Sequence, residues 1–401
     1  MEKPFIDALP IIEKLEQTGY EAYFVGGAVR DSIIGRPIGD VDIATSAKPD
    51  QVMRLFEKTI LVGIEHGTVV VVYNEIPYEV TTFRTEGTYE DFRRPSSVTF
   101  VSSLKEDLQR RDFTVNAIAM NKEGHIMDPF GGRSAIERRV IETVGQAAER
   151  FHEDALRMMR AIRFVSQLGF LLEEETKTAI IEHGHLLKHV SIERIAVEFE
   201  KMMGGQKPQT ALALLIETNL YQHLPGFSLT DEMKRTISIC KWQRAKDITE
   251  SWAMMLILLK VKETASFLRQ WKLPNKRIKD VQAVVDGYYE MKKRNWDRQA
   301  VYQYGLETAL HINQVNMMLS ERPNEEQSIQ ALYKELPIHS LKELAVNGKD
   351  LMAICKRKGG PWLSLLLQTI ERKVVDKELP NNREAIKEWL QSCNQILDEP
   401  C

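Results

Sequence analysis

Along residues 1–148 the apolar positions keep changing period, from helical spacings of three and four to runs and alternations that suit strands. Residues 5–16 carry helical spacing, 22–25 read as a strand, and 28–34 as a short helix closed by Gly35. Residues 41–44 read as a second strand, and Pro49 in a first turn predicts a helix over 49–56. Two further strands, 68–73 and 78–83, are separated by Asn74-Glu-Ile-Pro77 and predict a hairpin. Within the first of them, Val69-Val-Val-Val72 is a continuous β-branched run and predicts burial on both faces. From about residue 146 the pattern becomes helical and stays so to the end. The pattern thus predicts an α+β head followed by an all-α remainder.

Composition narrows this only a little. A chain of 401 residues is long enough for two or more domains. Its 43% hydrophobic and 28% charged residues are those of a globular protein. A formal net charge of −3 gives no global basic signal, so contact with a nucleic acid must use local patches. Cys240, Cys355, Cys393 and Cys401 are widely spaced without metal-like pairs, which fits a reducing, cytoplasmic setting. The longest apolar run, 252–259, has eight residues and is too short to span a bilayer, so no membrane partner is expected. Residues 1–16 show no secretory core.

The chemistry concentrates in Tyr23-Phe-Val-Gly-Gly-Ala-Val-Arg-Asp31 and Gly39-Asp-Val-Asp-Ile-Ala-Thr45. These read as strand, double-glycine turn, helix, and then a strand carrying Asp40 and Asp42. Residues two apart on a strand face the same side about 6–7 Å apart, so the two carboxylates repel unless a cation joins them. A few carboxylates plus substrate phosphates are the usual ligands of Mg²⁺. Gly26 and Gly27 let backbone N–H groups approach an anion at the positive end of the next helix. Arg30, one turn in, adds a cationic fork for phosphate oxygens. A triphosphate with Mg²⁺ fits between these arms.

An apolar-Gly-Gly, then 12 residues (28–39), then Asp-apolar-Asp-apolar, resembles the signature of the DNA polymerase β nucleotidyltransferase superfamily. The flanking residues narrow the resemblance to the bacterial-type class II CCA-adding tRNA nucleotidyltransferases, whose head is shared with poly(A) polymerases. The resemblance implies a polymerase β-like nucleotidyltransferase head at 1–148 and a helical neck for base selection at 149–204. It further implies a helical body at 205–319 and a tRNA-binding tail at 320–401. It is strongest over 20–165; residues 225–340 match only in helical character. Glu79, in Glu79-Val-Thr-Thr-Phe-Arg84, stands where an acid of the family completes a carboxylate trio; as a residue it reads equally well as a solvated strand position. Arg110-Arg-Asp-Phe-Thr-Val-Asn-Ala117 matches the family's second motif, which implies a phosphate contact for Arg111 and a 2′-hydroxyl contact for Asp112. The polar stretch 85–100 corresponds to a loop that the family links to the switch from adding C to adding A, and its presence favours full CCA addition.

Residues 151–164 predict one long helix in which Asp154, Arg157, Arg160 and Arg163 recur every third position. Such a spacing drifts by about 60° per step, so the charges spiral across half the circumference and some must lie against packed surface. A ligand offering hydrogen-bond partners explains that placement. Cytosine and adenine both present an amino donor beside a ring-nitrogen acceptor, whereas uracil and guanine present a carbonyl and an N–H. An ionised Asp beside an Arg suits the first pair and meets the second wrongly, at a cost of about 1–3 kcal/mol per misplaced partner. Asp154 and Arg157, at i and i+3, are predicted to act as that pair. The family's Glu-Asp-x-x-Arg motif, a protein template for CTP and ATP, implies the same. Arg160 is expected to stack on or clamp the nucleotide, and Arg163 to reach phosphate or brace the helix.

Two basic stretches, 269–279 and Lys356-Arg-Lys-Gly-Gly-Pro-Trp362, suit a phosphate backbone, though solvated loops are their default reading. The expected reaction is transfer of CMP or AMP from CTP or ATP to a tRNA 3′ end, with Asp40 and Asp42 holding two Mg²⁺ ions. A homodimer is compatible with the chain. The alternatives are a CC-adding or A-adding relative, a poly(A) polymerase, a small-molecule nucleotidyltransferase, and a noncatalytic RNA-binding protein on the same fold.

Overall fold

A computed structural model describes residues 1–62, 67–87, 98–320 and 322–396. The chain divides into two compact units, residues 1–243 with 270–272, and residues 244–269 with 273–401. Residues 205–243, expected in a separate body, pack within the first unit.

In the first unit, helix α1 (Lys3–Gln17) precedes β1 (Ala22–Val25), α2 (Gly27–Ile34), β2 (Asp42–Thr45) and α3 (Pro49–Leu55). Strands β3 (Thr59–Leu61), β4 (Thr68–Tyr73) and β5 (Ile76–Thr82) follow, then a ribbon of β6 (Arg84–Glu86) with β7 (Val98–Phe100). Helix α4 (Leu104–Gln109) leads to β8 (Ala119–Met120) and β9 (Ile126–Met127). The sheet runs β3-β4-β5-β2-β1-β8-β9, antiparallel except where β2 and β5 lie parallel. The α+β head expected from the apolar pattern is present.

Alternation places successive side chains of β1 on opposite faces. Phe24 meets Phe5 of α1, their ring centroids 4.9 Å apart. Val25 joins Ala44, Phe83, Leu108 and Ala119 in a second buried cluster. Because Ile43 pairs with Val80, Asp42 and Ala44 share a face with Glu79 and Thr81. That shared face brings acids from two strands to one spot.

Three strand expectations change. The β4–β5 hairpin turns on two residues, Asn74 and Glu75, both at positive φ, so Ile76 and Pro77 belong to the strand. Within Val69-Val-Val-Val72 only Val69 and Val71 are buried, while Val70 and Val72 are half-buried. One face of β4 is therefore only partly covered, as an antiparallel hairpin strand permits. The second strand begins at Asp42, leaving Asp40 in the irregular segment before it. Of the stretch 85–100, its base is the β6–β7 ribbon, and residues 88–97 lie outside the described residues.

The rest of the first unit is helical apart from one short parallel strand pair: α5 (Gly132–Arg138), α6 (Ala147–Glu153), α7 (Leu156–Leu168), α8 (Glu174–His183), α9 (Ile192–Met203), α10 (Pro208–Glu217) and α11 (Asp231–Ile239). Helices α7, α9 and α10 pack through buried Met159, Ile162, Ile195, Phe199 and Leu212. In the second unit, the apolar run 252–259 lies mostly in the buried helix Ile248–Leu258. Helices Asn275–Met291 and Arg298–Leu319 approach closely at Gly287, where a Cβ would lie 2.2 Å from Ile312 Cδ1. No described helix is long and apolar enough to cross a membrane.

Candidate active site

A cavity of about 640 Å³ opens where β1, β2 and β5 meet α4, α7 and α9. Ten of the twelve residues singled out in the sequence line it; Asp40 and Arg163 do not. Gly26 turns from β1 into α2 at φ +73°, and a Cβ there would lie 3.1 Å from Arg111 Nη1 and 4.0 Å from Asp42 Oδ2. The backbone angle demands glycine, and a Cβ would in addition push on the Arg111 guanidinium. Its own N–H donates to the Ile118 carbonyl at 3.3 Å, so Gly26 supplies room, and the amides left for an anion are those of the first α2 turn. Arg30 is buried against them. It donates to Asp31 at 3.0 and 3.1 Å and to Asn116 Oδ1 at 2.5 Å, which leaves two of its five N–H groups.

Asp42 is pushed up to about 6, first by burial, then by the charge of Glu79, with Asp40 adding and Arg111 partly offsetting. Asp40 is exposed, since no strand pairs beside it, so the same-face argument fails for it, although its charge reaches Asp42. Glu79 is exposed at the cavity wall. Among the described residues no three Asp, Glu, His or Cys side chains gather into a metal cage. A cage is not what a hard ion needs here, because Mg²⁺ is commonly held by one or two carboxylates with waters and substrate phosphates. The all-oxygen donor set and the repulsion that Glu79 and Asp40 impose on Asp42, only partly offset by Arg111, fit such an ion.

The opposite wall is basic. Buried Asp107 accepts from Arg110 at 2.8 and 3.0 Å and from Arg111 at 3.3 Å. The Arg111 Nε is buried without a partner among the described residues, and its remaining bond, to the Asn116 carbonyl, is 3.4 Å long. Arg111 is thus loosely held beside Gly26. Asp112 is the reverse case. Its Oδ2 accepts from Arg160 Nε at 2.7 Å and Nη2 at 2.6 Å, and its Oδ1 from the Phe113 N–H at 2.9 Å and Asn116 Nδ2 at 3.3 Å. Burial alone would raise Asp112, but the charges of Arg160 and Arg157 and the bonds from Arg160 and Asn116 hold it down at about 2. An incoming hydroxyl would have to share oxygens already engaged.

The single helix expected over 151–164 is two. Asp154 is extended (φ −138°, ψ 102°) between α6 and α7, and its Oδ1 accepts the Leu156 N–H at 3.1 Å. Aspartate competes well for free amides at a helix start, and here that preference overrides the helical period. Asp154 and Arg157 consequently do not pair with each other. Asp154 takes Arg194 Nη1 at 3.3 Å and Nη2 at 2.7 Å, while Arg157 binds Glu153 at 2.5 Å and the Arg110 carbonyl at 3.1 Å. Arg163 is buried, bound to Glu198 and to Gln167 Oε1. Arg160 and Arg163 both flank the ring of Phe164, at 5.5 and 4.0 Å from its centroid. The spiral of charge expected to await a ligand is satisfied largely by the protein. Arg194, Glu198 and Asp107 were not anticipated, and Asn116 and Glu153 entered only as members of the matched motifs, with no role of their own. Glu198 had a legible signal, an acid on the apolar stripe Ile195, Phe199, Met202 of α9.

Residues 22–142 match the family described as the Poly A polymerase head domain. Residues 169–230 match a probable RNA and SrmB-binding site of polymerase A, and 243–390 a putative tRNA nucleotidyltransferase domain 2. A CCA-adding enzyme of Bacillus cytotoxicus is 51% identical over 98% of this chain and all of its own length. The chain belongs to the CCA-adding enzyme family. Another member, from Geobacillus kaustophilus, is 50% identical over the full length of both chains. The crystal structure of the Bacillus stearothermophilus CCA-adding enzyme in complex with CTP superposes with a TM-score of 0.94, at 47% identity and full coverage of both chains. A CCA-adding enzyme of Thermotoga maritima complexed with tRNA, at 20% identity, 98% and 96% coverage and TM-score 0.64, shares the fold. A nucleotidyltransferase of this family implies use of a divalent metal.

Proposed function

We propose that this tRNA nucleotidyltransferase adds and repairs the terminal CCA of tRNA from CTP and ATP, releasing pyrophosphate, with no nucleic acid template. The observation that carries the reading is the single cavity bringing Gly26, Asp42 and Arg111 together with Asp154 and Arg157. The first group meets the triphosphate. The first-turn amides of α2, the two free N–H groups of Arg30 and the loosely held Arg111 bind phosphate oxygens. Asp42, with Asp40 and support from Glu79, would hold Mg²⁺, which would supply activation of the attacking 3′-oxygen and neutralisation of the leaving pyrophosphate. Asp154 accepts from the amino group of cytosine or adenine and Arg157 donates to the ring nitrogen, each from its own anchorage. Arg160 flanks the nucleotide, held by Asp112, which reaches a ribose hydroxyl only by sharing its oxygens; Arg163 braces α7. We assign the head to 1–148, the neck to 149–204, the body to 205–319, of which 205–243 pack with the head and neck in one unit, and the tail to 320–401, acting in the cytoplasm.

Transcripts ending before the first C, after C and after CC, each offered one labelled nucleotide, test this. Incorporation should run C, C, A and then stop, with GTP and UTP unused. Arrest after CC would make the chain a CC-adding relative, and long poly(A) products would make it a polymerase.

A further inference from the structure

We propose that Arg194 is a positioning residue that sets base specificity: its guanidinium fork holds the Asp154 carboxylate as an acceptor-only edge in one orientation. This rests on the reading of Asp154 as a base contact. An ionised carboxylate has about four acceptor sites. In Asp154, Oδ1 is taken by the Leu156 N–H and Arg194 Nη1, and Oδ2 by Arg194 Nη2 at 2.7 Å. One site remains, on Oδ2. A single fixed acceptor matches one exocyclic amino group, which cytosine and adenine have at that edge and uracil lacks.

The geometry around Arg194 is built to aim it. It is the third residue of α9, where the positive helix end disfavours a cation, and the Asp154 carboxylate offsets that cost. The rotation of α9 is fixed twice, by Ile195, Phe199 and Met202 buried in the core and by Glu198, one turn after Arg194, bound to Arg163 of α7. Arg194 and Asp154 retain 26% and 17% of their side-chain exposure, so the fork is largely shielded from water and its loss is read in selectivity beside any cost in stability. Without the fork, only the Leu156 N–H restrains the carboxylate, which recovers two acceptor sites. It can then take the ring N–H of uracil or guanine, and the misfit that rejects them shrinks.

The test compares wild type, Arg194→Met, Arg194→Lys and Asp154→Ala for kcat/KM with CTP and UTP on tRNA lacking CCA, and with ATP and GTP on tRNA ending in CC. For Arg194→Met the CTP:UTP and ATP:GTP ratios should fall about ten-fold or more, the range set by one misplaced hydrogen-bond partner. Assayed well below each variant's melting temperature, kcat for CTP should change less than the ratios, and Arg194→Lys should recover part of the loss. Ratios retained in Arg194→Met but lost in Asp154→Ala overturn this inference alone, as does an equal loss with all four nucleotides. Ratios retained in both variants remove Asp154 as the base contact, and this inference with it.

Discussion

The two walls of the cavity handle charge in opposite ways. On the sheet side buried Asp42 feels the charges of Glu79 and, from outside the cavity, Asp40, which Arg111 only partly offsets, and its carboxyl is pushed up to about 6. On the helical side the lining carboxylates have arginines, Asp112 with Arg160 and Asp154 with Arg194, and behind them Glu198 is paired with Arg163. The first wall stores repulsion that an ion or a triphosphate complex would relieve. The second is assembled before any nucleotide arrives, so that a base meets groups already fixed in place. One wall is completed by what binds; the other selects it.

The largest effect should come from breaking the sheet side. Asp42→Asn removes the ionised ligand while keeping its shape, and incorporation should fall about a thousand-fold or more, the scale on which one preorganised charge acts in a transition state. Affinity for tRNA should stay within a few-fold. Melting without divalent ion should be unchanged or higher, since a repelled carboxylate has been replaced by a neutral amide. A clear drop in melting temperature would show Asp42 to be paired, like the acids opposite, and would end the contrast.

Asp112→Asn is the matching change on the helical side, and its first effect is on folding. The amide cannot accept twice from Arg160 as a charge, so about 2 kcal/mol of stability should be lost, less than for a fully buried pair because Arg160 keeps 32% of its exposure. The pH dependence follows from the depressed pKa. Asp112 binds protons less readily folded than unfolded, so its contribution is complete above about pH 4 and disappears as pH falls through about 2. The difference between variant and wild type in denaturant titrations should therefore be full at pH 7 and vanish toward pH 2. A constant difference across that range would mean that shape, and not charge, holds Asp112.

This contrast also explains what could be read from the chain alone. The glycine corner and Asp42 are local: strand, turn, helix and strand lie within 24 residues (22–45), and short-range rules place them together. Asp154 was legible as a polar residue in an apolar helix, but its partner stands 40 residues away on α9. Nothing in a spacing of three reveals that the helix breaks there, because a capping aspartate and a helical aspartate look alike in sequence. Asp40 was misplaced for the same kind of reason, since where β2 begins depends on its pairing with β1 and β5. Local chemistry was readable; long-range pairing was not.

The smallest expected effect decides what Glu79 does. Asp42 is raised above its unfolded value, so in the metal-free protein its contribution to stability is present below about pH 4 and is lost as pH rises through about 6. A divalent ion binds the ionised form, and the rise in melting temperature on adding Mg²⁺ should be small at pH 5 and grow above about pH 6. Glu79→Gln removes the second cause of the shift after burial, so the onset of that Mg²⁺ effect should move to lower pH while its size at pH 8 is kept. If Glu79 is itself a ligand, the increment at pH 8 shrinks as well. The two outcomes separate an acid that tunes Asp42 through its charge from one that touches the ion, a distinction that matters because Glu79 is exposed at the cavity wall and Asp42 is not.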